Sequence, residues 1–217
     1  MGSAIYSYAT HLRAGEIIVR RINCQSLTFE ITITVYTDLG SDVLFGSSGI
    51  LRFGDGSDPD NDGEKGYKLS PIENKTRSDL PPLVGIAEFK IIHTYGAPGK
   101  YTISYYEKNR NEGVLNIENS IETEFFIETE IIIDPFLGCN NSPVLLIPPV
   151  DRACVGVAFF HNPGAYDPEG DSLSFEIVTP KKDVGTDVDN YRSPINQAFY
   201  VTNPYLNEDN TGPPEFS

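Results

Sequence analysis

Apolar and polar residues alternate one by one over much of the first half of the chain, with the two-residue period of strands that bury one face. The clearest run, residues 27–37, places Phe29, Ile31, Ile33 and Val35 on one side and polar side chains on the other. Similar runs occupy residues 15–22, 49–53, 84–95, 100–107 and 124–134. Turn-forming residues punctuate the chain, and no stretch sustains the 3.6-residue period of a helix. We therefore predict an all-β fold built from sandwiches.

A break in this rhythm falls near residues 134–143, which contain two prolines, a glycine and two asparagines. After it, shorter apolar runs resume at 144–149, 153–160, 172–178 and 197–201. We predict two β-sandwich modules in tandem, residues 5–136 and 137–217. Sandwiches of this kind have about seven strands. The second module has fewer strand candidates, so we expect it to be incomplete in this chain.

The charge balance narrows the range of partners. The 217 residues include 31 acids and 16 bases, for a net charge of −15. Such a field repels phosphate backbones and anionic membrane surfaces and attracts cations, which argues against nucleic-acid binding. No apolar run approaches the roughly 18 residues that cross a bilayer, so we expect no membrane insertion.

Three cysteines permit one disulfide. Cys139 and Cys154 flank an apolar run followed by a turn, and a hairpin-like return would bring them together. A bridge closing this 16-residue loop would stabilise the fold by about 3 kcal/mol. We predict this bridge, with two buried thiols as the alternative, and expect Cys24 to be a lone thiol in a turn.

Two separated motifs resemble the signature of PKD-like domains, a family with an immunoglobulin-like sandwich fold. They are LRFGDGS at 51–57 and HTYGAPGKYTISYYEKN at 93–109. The matching positions are Phe53, Gly54, Asp55, Gly56, Ser57, His93, Tyr95, Pro98, Gly99, Tyr101 and Asn109. The family's usual Trp before the FGDG is replaced by Leu51–Arg52, and the segment between the two motifs is enlarged.

The second half resembles the cadherin-like repeats of bacterial surface proteins, in which an N-x-x-P opening is followed by D-P-x-G-D-x-L-x-[YF]. Here these motifs are NNSP at 140–143 and DPEGDSLSF at 167–175. Over residues 10–180 the chain is similar to the N-terminal part of large secreted Bacteroidetes proteins of the gliding-motility-associated type. This resemblance implies an extracellular location at the bacterial cell surface and carries no known activity.

The FGDG turn has a structural explanation of its own. Gly54 and Gly56 allow positive φ and close backbone approach, and Asp55 can bond nearby amides in an Asx-turn. Tyr95 is expected to bond the backbone as in a tyrosine corner, with His93 packed beside it. The catalytic alternative for His93 lacks support, because the chain has no G-x-S-x-G elbow and no H-E-x-x-H or paired C-x-x-C motif.

Two acidic turns are candidate calcium sites. Asp58, Asp60 and Asp62 followed by glycine reproduce the first half of an EF-hand loop, but Leu69 occupies the place of its bidentate Glu. The second candidate is the set Asp167, Glu169 and Asp171, which resembles a cadherin-like calcium motif, with Asn140 or Asn141 as an added ligand. The alternative for both is a solvated acidic turn.

Three function classes follow from these observations. The first is a non-catalytic structural or adhesive module, whose partners are other modules of the same chain and a surface protein or polysaccharide. The second is a carbohydrate-binding module, which requires an exposed aromatic platform. The third is a hydrolase, for which no motif is present. We take the first as our prediction and expect no enzymatic activity.

Overall fold

A computed structural model describes residues 12–108, 110–114, 116–149 and 164–192 of the chain. The described residues form eleven strands and one short 3₁₀ turn, Ser120–Glu122, so the prediction of an all-β fold is confirmed. The strands are β1 Leu12–Arg21, β2 Thr28–Asp38, β3 Ile50–Arg52, β4 Tyr67–Lys68, β5 Val84–Thr94, β6 Gly99–Glu107, β7 Phe125–Ile133, β8 Val144–Leu145, β9 Ala165–Tyr166, β10 Lys181–Asp183 and β11 Thr186–Asp187. Across these residues, no helix is long and apolar enough to span a membrane.

The first sheet contains three antiparallel strands in the order β1-β2-β5. Strands β2 and β5 pair without interruption from Thr28↔Thr94 to Asp38↔Val84. A two-residue side-chain period places every second residue of each strand on the outer face. The pairings Glu16↔Thr34 and Thr34↔Glu88 therefore align three outward side chains in one row across the sheet.

The second sheet contains four antiparallel strands in the order β4-β3-β6-β7. Its long pair, β6 and β7, runs from Gly99↔Ile133 to Glu107↔Phe125. The short strand β3 pairs with the other edge of β6, where Arg52 lies opposite Ser104. This pairing brings the FGDG turn, which begins directly after β3, beside β6.

The hydrophobic core lies between the two sheets and takes side chains from both. Ile31 and Ile33 of β2 and Ile103 and Tyr105 of β6 are fully buried. Burying an aliphatic side chain of this size contributes about 1.5–3 kcal/mol. The alternation seen in the sequence is thus explained by two inner faces that pack against each other.

Residues that follow β7 form small paired segments and no large sheet within the described region. Strand β8 pairs with β9, and β10 pairs with β11 in a hairpin that the sequence did not predict. The strand predicted at 172–178 is wrong, because these residues join no ladder and Phe175, Ile177 and Val178 are more than half exposed. The predicted strands at 153–160 and 197–201 lie outside the described residues.

Candidate functional site

The FGDG turn packs against the end of β5 through aromatic and hydrogen-bond contacts. The ring of His93 stacks on Phe53 at a centroid distance of 3.9 Å and meets the edge of Tyr95 at 4.7 Å. The Tyr95 hydroxyl donates to the carbonyl of Phe53 at 2.9 Å. Since Phe53 and Tyr95 are each 2% exposed, this hydrogen bond satisfies a polar group inside the core.

Asp55 is the hub of the turn. Its Oδ1 accepts from the Ser57 amide at 3.0 Å and from the Ser57 hydroxyl at 2.7 Å, while Oδ2 contacts Nε2 of His93 at 2.8 Å. Burial by itself would raise the pKa of Asp55, but the hydrogen bonds from Ser57 and His93 outweigh it and hold the pKa below its usual value. Asp55 is therefore a structural carboxylate, and its side-chain hydrogen bonds to described residues join it to Ser57 of the turn and His93 of β5.

Gly54 gives this turn its close approach to the second sheet. Its φ is +83°, and a Cβ built on it would lie 2.5 Å from the carbonyl oxygen and 2.8 Å from the amide nitrogen of Thr102. Gly56 also has a positive φ, of +76°, but nothing nearer than Lys65 Nζ at 3.8 Å. The first glycine is required by both conformation and space, and the second by conformation alone.

The same residues do not form a nucleophile–base pair. Ser57 and His93 each bond a different oxygen of Asp55, so the carboxylate lies between the hydroxyl and the imidazole. Activation of a serine requires the base to accept the hydroxyl proton directly. The arrangement fits a hydrogen-bonded turn and offers no step of acyl transfer.

The acidic loop at 58–64 uses its carboxylates to bind its own backbone. Asp58 accepts from the amides of Asp62 and Gly63 at 3.3 and 2.8 Å, and Asp60 accepts from the amide of Lys68 at 2.8 Å. The Lys68 ammonium donates to Asp62 at 2.6 Å, and this hydrogen bond lowers the pKa of Asp62. The positive charge of Lys68 thus already compensates part of the negative charge of the loop.

The second acidic turn is closed in a similar way. Asp167 accepts from the amides of Glu169 and Asp171 at 2.9 and 3.1 Å, and Glu169 accepts from the amide and side chain of Asn141 at 3.1 and 2.5 Å. Within the described residues, no group of three or more His, Cys, Asp and Glu side chains is placed to hold a metal. Neither set fits a calcium ion in this arrangement, and calcium binding stays a prediction.

Asn141 belongs to a joint between the sandwich and the segment that follows it. We use "the joint" for residues 138–142 together with their partners in β1 and in the β1–β2 turn. The Arg21 amide donates to Asn141 Oδ1 at 2.8 Å, the Val19 amide donates to Ser142 Oγ at 2.8 Å, and the Ser142 amide donates to the Val19 carbonyl at 2.9 Å. Because β1 is an edge strand, these bonds cover backbone groups that would otherwise be unpaired.

A disulfide closes the joint, and it corrects the sequence prediction. Cys139 bonds Cys24, with Cα atoms 5.1 Å apart, so the predicted Cys139–Cys154 bridge and the lone thiol at Cys24 are both wrong. Cys154 lies outside the described residues. The prediction assumed that cysteines close in sequence pair through a local hairpin. Instead, the sandwich topology places the β1–β2 turn beside the exit of β7.

The segment after the joint also contacts the second sheet. Arg52 of β3 forms an ion pair with Asp183 at 2.8 Å, and Lys181 forms one with Glu128 of β7. Val188, beside this hairpin, is 5% exposed. The described residues after 137 are therefore held against the sandwich at several places, and their identity as a separate cadherin-like module stays a prediction.

Glu107 is a buried site that the sequence analysis missed. It is fully buried at the end of β6 and accepts from the amides of Gly46 and Ser48 at 3.0 and 3.3 Å and from the Tyr105 hydroxyl. Burial, together with the charge of Glu107, raises the pKa of Tyr105 far above its usual value. The burial of Glu107 could have been predicted from the sequence, because the alternation along β6 places residue 107 on the same inner face as Ile103 and Tyr105.

Comparisons of the chain with protein-family models, with curated proteins and with solved structures gave no match.

Proposed function

We propose that this chain is a non-catalytic extracellular β-module of a large bacterial surface protein, which holds neighbouring modules at a fixed spacing. In this proposal its partners are other modules of the same chain and a surface protein or polysaccharide. The PKD-like identity of residues 5–136 and the cadherin-like identity of the remainder are part of the proposal. They rest on the motifs of the sequence.

The joint is the observation that carries this function. The chain of a spacer must pass from one module to the next through a rigid connection, because a flexible linker lets the two modules approach each other. Here the chain that leaves β7 is bonded covalently through Cys139 and Cys24 and by hydrogen bonds through Asn141 and Ser142. These contacts hold the exit of the sandwich against its own first hairpin.

The disulfide supports the extracellular location. Structural disulfides form and persist in oxidising compartments and are rare in reducing ones. The Cys24–Cys139 bridge has a sequence separation of 115 residues. For loops of this length the chain-entropy model gives a stabilisation of about 4–5 kcal/mol, and measured values for disulfides are typically about 2–4 kcal/mol.

The distribution of exposed apolar side chains supports a partner after the sandwich. Within the described residues, four large exposed apolar side chains precede residue 136 and eleven lie at or after it. The eleven are Phe136, Leu137, Leu145, Leu146, Ile147, Tyr166, Leu173, Phe175, Ile177, Val178 and Val184. A concentration of exposed apolar surface marks contacts with another protein surface, as neighbouring modules would provide.

Single-molecule force spectroscopy on the 217-residue chain, pulled from its two ends, tests the spacer function. With the bridge intact, the 115-residue separation between Cys24 and Cys139 cannot extend. Reduction, or the variant Cys24→Ser, is expected to add about 400 Å of contour length at about 3.5 Å per residue. Cys154→Ser is the matched control and is expected to add none.

Two results would contradict the proposal. One is an oxidised chain whose residues outside the Cys24–Cys139 loop extend at the lowest forces, because a spacer that unfolds without resistance does not keep its modules at a fixed distance. The other is reproducible turnover in a screen of glycoside and peptide substrates that a single carboxylate substitution abolishes. The first result removes the mechanical role, and the second removes the non-catalytic assignment.

A further inference from the structure

A pocket lies on the outer face of the β1-β2-β5 sheet, away from the joint and the FGDG turn. Its volume is about 220 Å³, and it opens to solvent between the sheet and residues 145–148. Its lining residues are Glu16, Thr34, Tyr36, Arg77, Ile86, Glu88, Leu145, Leu146 and Pro148. Pockets for drug-sized ligands measure about 300–1,000 Å³, so this one has room for a single long side chain.

The floor of the pocket follows from the sheet register. Glu16, Thr34 and Glu88 form one outward row across three strands, and Tyr36 and Ile86 are paired in the next row. Strands about 4.8 Å apart separate the backbones of Glu16 and Glu88 by roughly 10 Å. Two carboxylates thus stand on either side of the Thr34 hydroxyl.

The charges in the pocket do not balance. Glu88 is paired with Lys90 at 3.2 Å, and Arg77 is paired with Asp79 at 2.7 Å and also bonds Tyr36. Glu16 forms no hydrogen bond or ion pair with any residue that the structure describes, and burial raises its pKa. The pocket therefore holds one partly desolvated carboxylate whose charge is not compensated, which is unfavourable unless a cation completes it.

The lining also includes aliphatic side chains. They are Leu145, Leu146 and Pro148 from the segment after the joint, and Ile86 from the sheet. The aromatic member of the lining, Tyr36, is 4% exposed, so its ring offers no stacking platform of the kind that sugar rings use. The methylene stem of a lysine or arginine packs well along aliphatic walls while its charged end reaches a polar group.

We propose that this pocket binds a basic side chain, lysine or arginine, of a partner protein. Glu16 receives the cationic end, Thr34 lies beside it as a further hydrogen-bond acceptor, and Leu145 and Leu146 cover the stem. Uncompensated negative charge and aliphatic side chains line one cavity, and a basic side chain contacts both. This site is independent of the spacer role, because none of its lining residues belongs to the joint.

NMR titration of the isotopically labelled chain tests the site. The probes are two capped tripeptides, Gly-Lys-Gly and its norleucine counterpart, which keeps the stem and lacks the charge. The lysine peptide is expected to give saturable shifts at Thr34, Tyr36, Ile86 and Leu146. The norleucine peptide is expected to bind about tenfold more weakly or worse, since a hydrogen bond to a charged group is lost.

Two matched variants separate a specific contact from general attraction to an acidic protein. Glu16→Gln keeps the shape of the side chain and removes its charge, and it is expected to weaken binding of the lysine peptide by about tenfold or more. Glu30→Gln removes a charge from the same sheet face, four residues along β2 from Thr34 and roughly 13 Å away, and is expected to leave binding unchanged.

Three outcomes would overturn the proposal. They are the absence of saturable shifts with the lysine peptide, equal binding of the norleucine peptide, and equal effects of the two variants. The spectrum of free Glu16→Gln shows whether the variant is folded, so that lost binding is not mistaken for unfolding. Failure here leaves the force measurement on the joint unaffected.

Discussion

Asp55 and His93 are 38 residues apart in the sequence, yet their side chains meet at 2.8 Å where the FGDG turn closes on the end of β5. The side chains of Asp55 and His93 are 18% and 13% exposed, so water screens the contact only partly. This contact joins the second sheet, through β3, to the first sheet, through β5. The turn thereby connects the two layers of the sandwich.

Replacing Asp55 with alanine is expected to lower the free energy of unfolding at pH 7 by about 1–2 kcal/mol, because the partners on Ser57 and His93 lose a charged acceptor. The folded pKa of Asp55 is depressed, below an unfolded value of about 3.9. Its contribution is therefore present above about pH 4 and lost as the pH falls through the folded pKa.

Urea denaturation at pH 7 and pH 3 checks this sign. The difference between wild type and Asp55→Ala is expected to shrink at the lower pH. Asp42→Ala, at an exposed carboxylate, is the control and should stay within about 0.5 kcal/mol at both values. A difference for Asp55→Ala that grows on acidification would show that its carboxylate does not stabilise the fold.

The two glycines of the turn should respond differently to alanine. Gly54→Ala is expected to cost at least about 3 kcal/mol, since the new Cβ meets the Thr102 backbone at 2.5 Å in addition to the strain of its positive φ. Gly56→Ala carries the conformational strain alone, about 1 kcal/mol. Thermal melting of both variants measures the difference, and equal losses would mean that the clash with β6 is absent.

Peptide mapping without reductant is expected to find Cys24 linked to Cys139 and to find Cys154 alkylated. Reduction should lower the free energy of unfolding by about 2–4 kcal/mol, because the unfolded chain regains the freedom of a long loop. Cys154→Ser should change neither result. A peptide that links Cys139 to Cys154 would contradict the pairing.

Glu107→Ala is expected to destabilise the fold by about 3–5 kcal/mol, since the amides of Gly46 and Ser48 and the Tyr105 hydroxyl lose a buried charged acceptor. Hydrogen exchange should show faster exchange at the Gly46 amide. Glu112→Ala, at an exposed carboxylate, is the control with an expected change below about 0.5 kcal/mol. Similar losses in both variants would show that Glu107 does not anchor this loop.

Local pattern was sufficient for six of the seven strands in the two sandwich sheets, and it did not predict the two-residue strand β4. Alternation located β2 at 27–37, where the structure has Thr28–Asp38, and β5 at 84–95, where it has Val84–Thr94. A strand with one buried face has an alternating sequence because every second side chain faces the apolar core and the others face water. The role of the glycines in the FGDG turn could also be predicted from the sequence, since few other residues tolerate a positive φ and a close backbone approach.

Partner choice between distant segments was not readable in the same way. Residues 172–178 alternate like a strand, but a strand also needs a ladder partner, and none of the described residues supplies one. The acidic loop at 58–64 has the spacing of cation ligands, but in the structure the carboxylate of Asp62 is bonded to the ammonium group of Lys68. Spacing determines which groups are present and leaves open which groups meet.

The sequence by itself determined the long strands, the FGDG turn and the acidic character of this protein, because each depends on residues that are neighbours along the chain. Only the tertiary structure decided that Cys24 meets Cys139 and that Asn141 covers the edge of β1. It also decided that Glu16 shares a pocket with Leu145 and Leu146 and has no ion-pair partner among the described residues. Those contacts depend on how two sheets stack and where the chain leaves them. The physical reason is that tertiary packing depends on many residues that are distant in the sequence, and the hydrophobic effect does not specify which of them meet. The periodicity of a strand depends only on neighbouring residues.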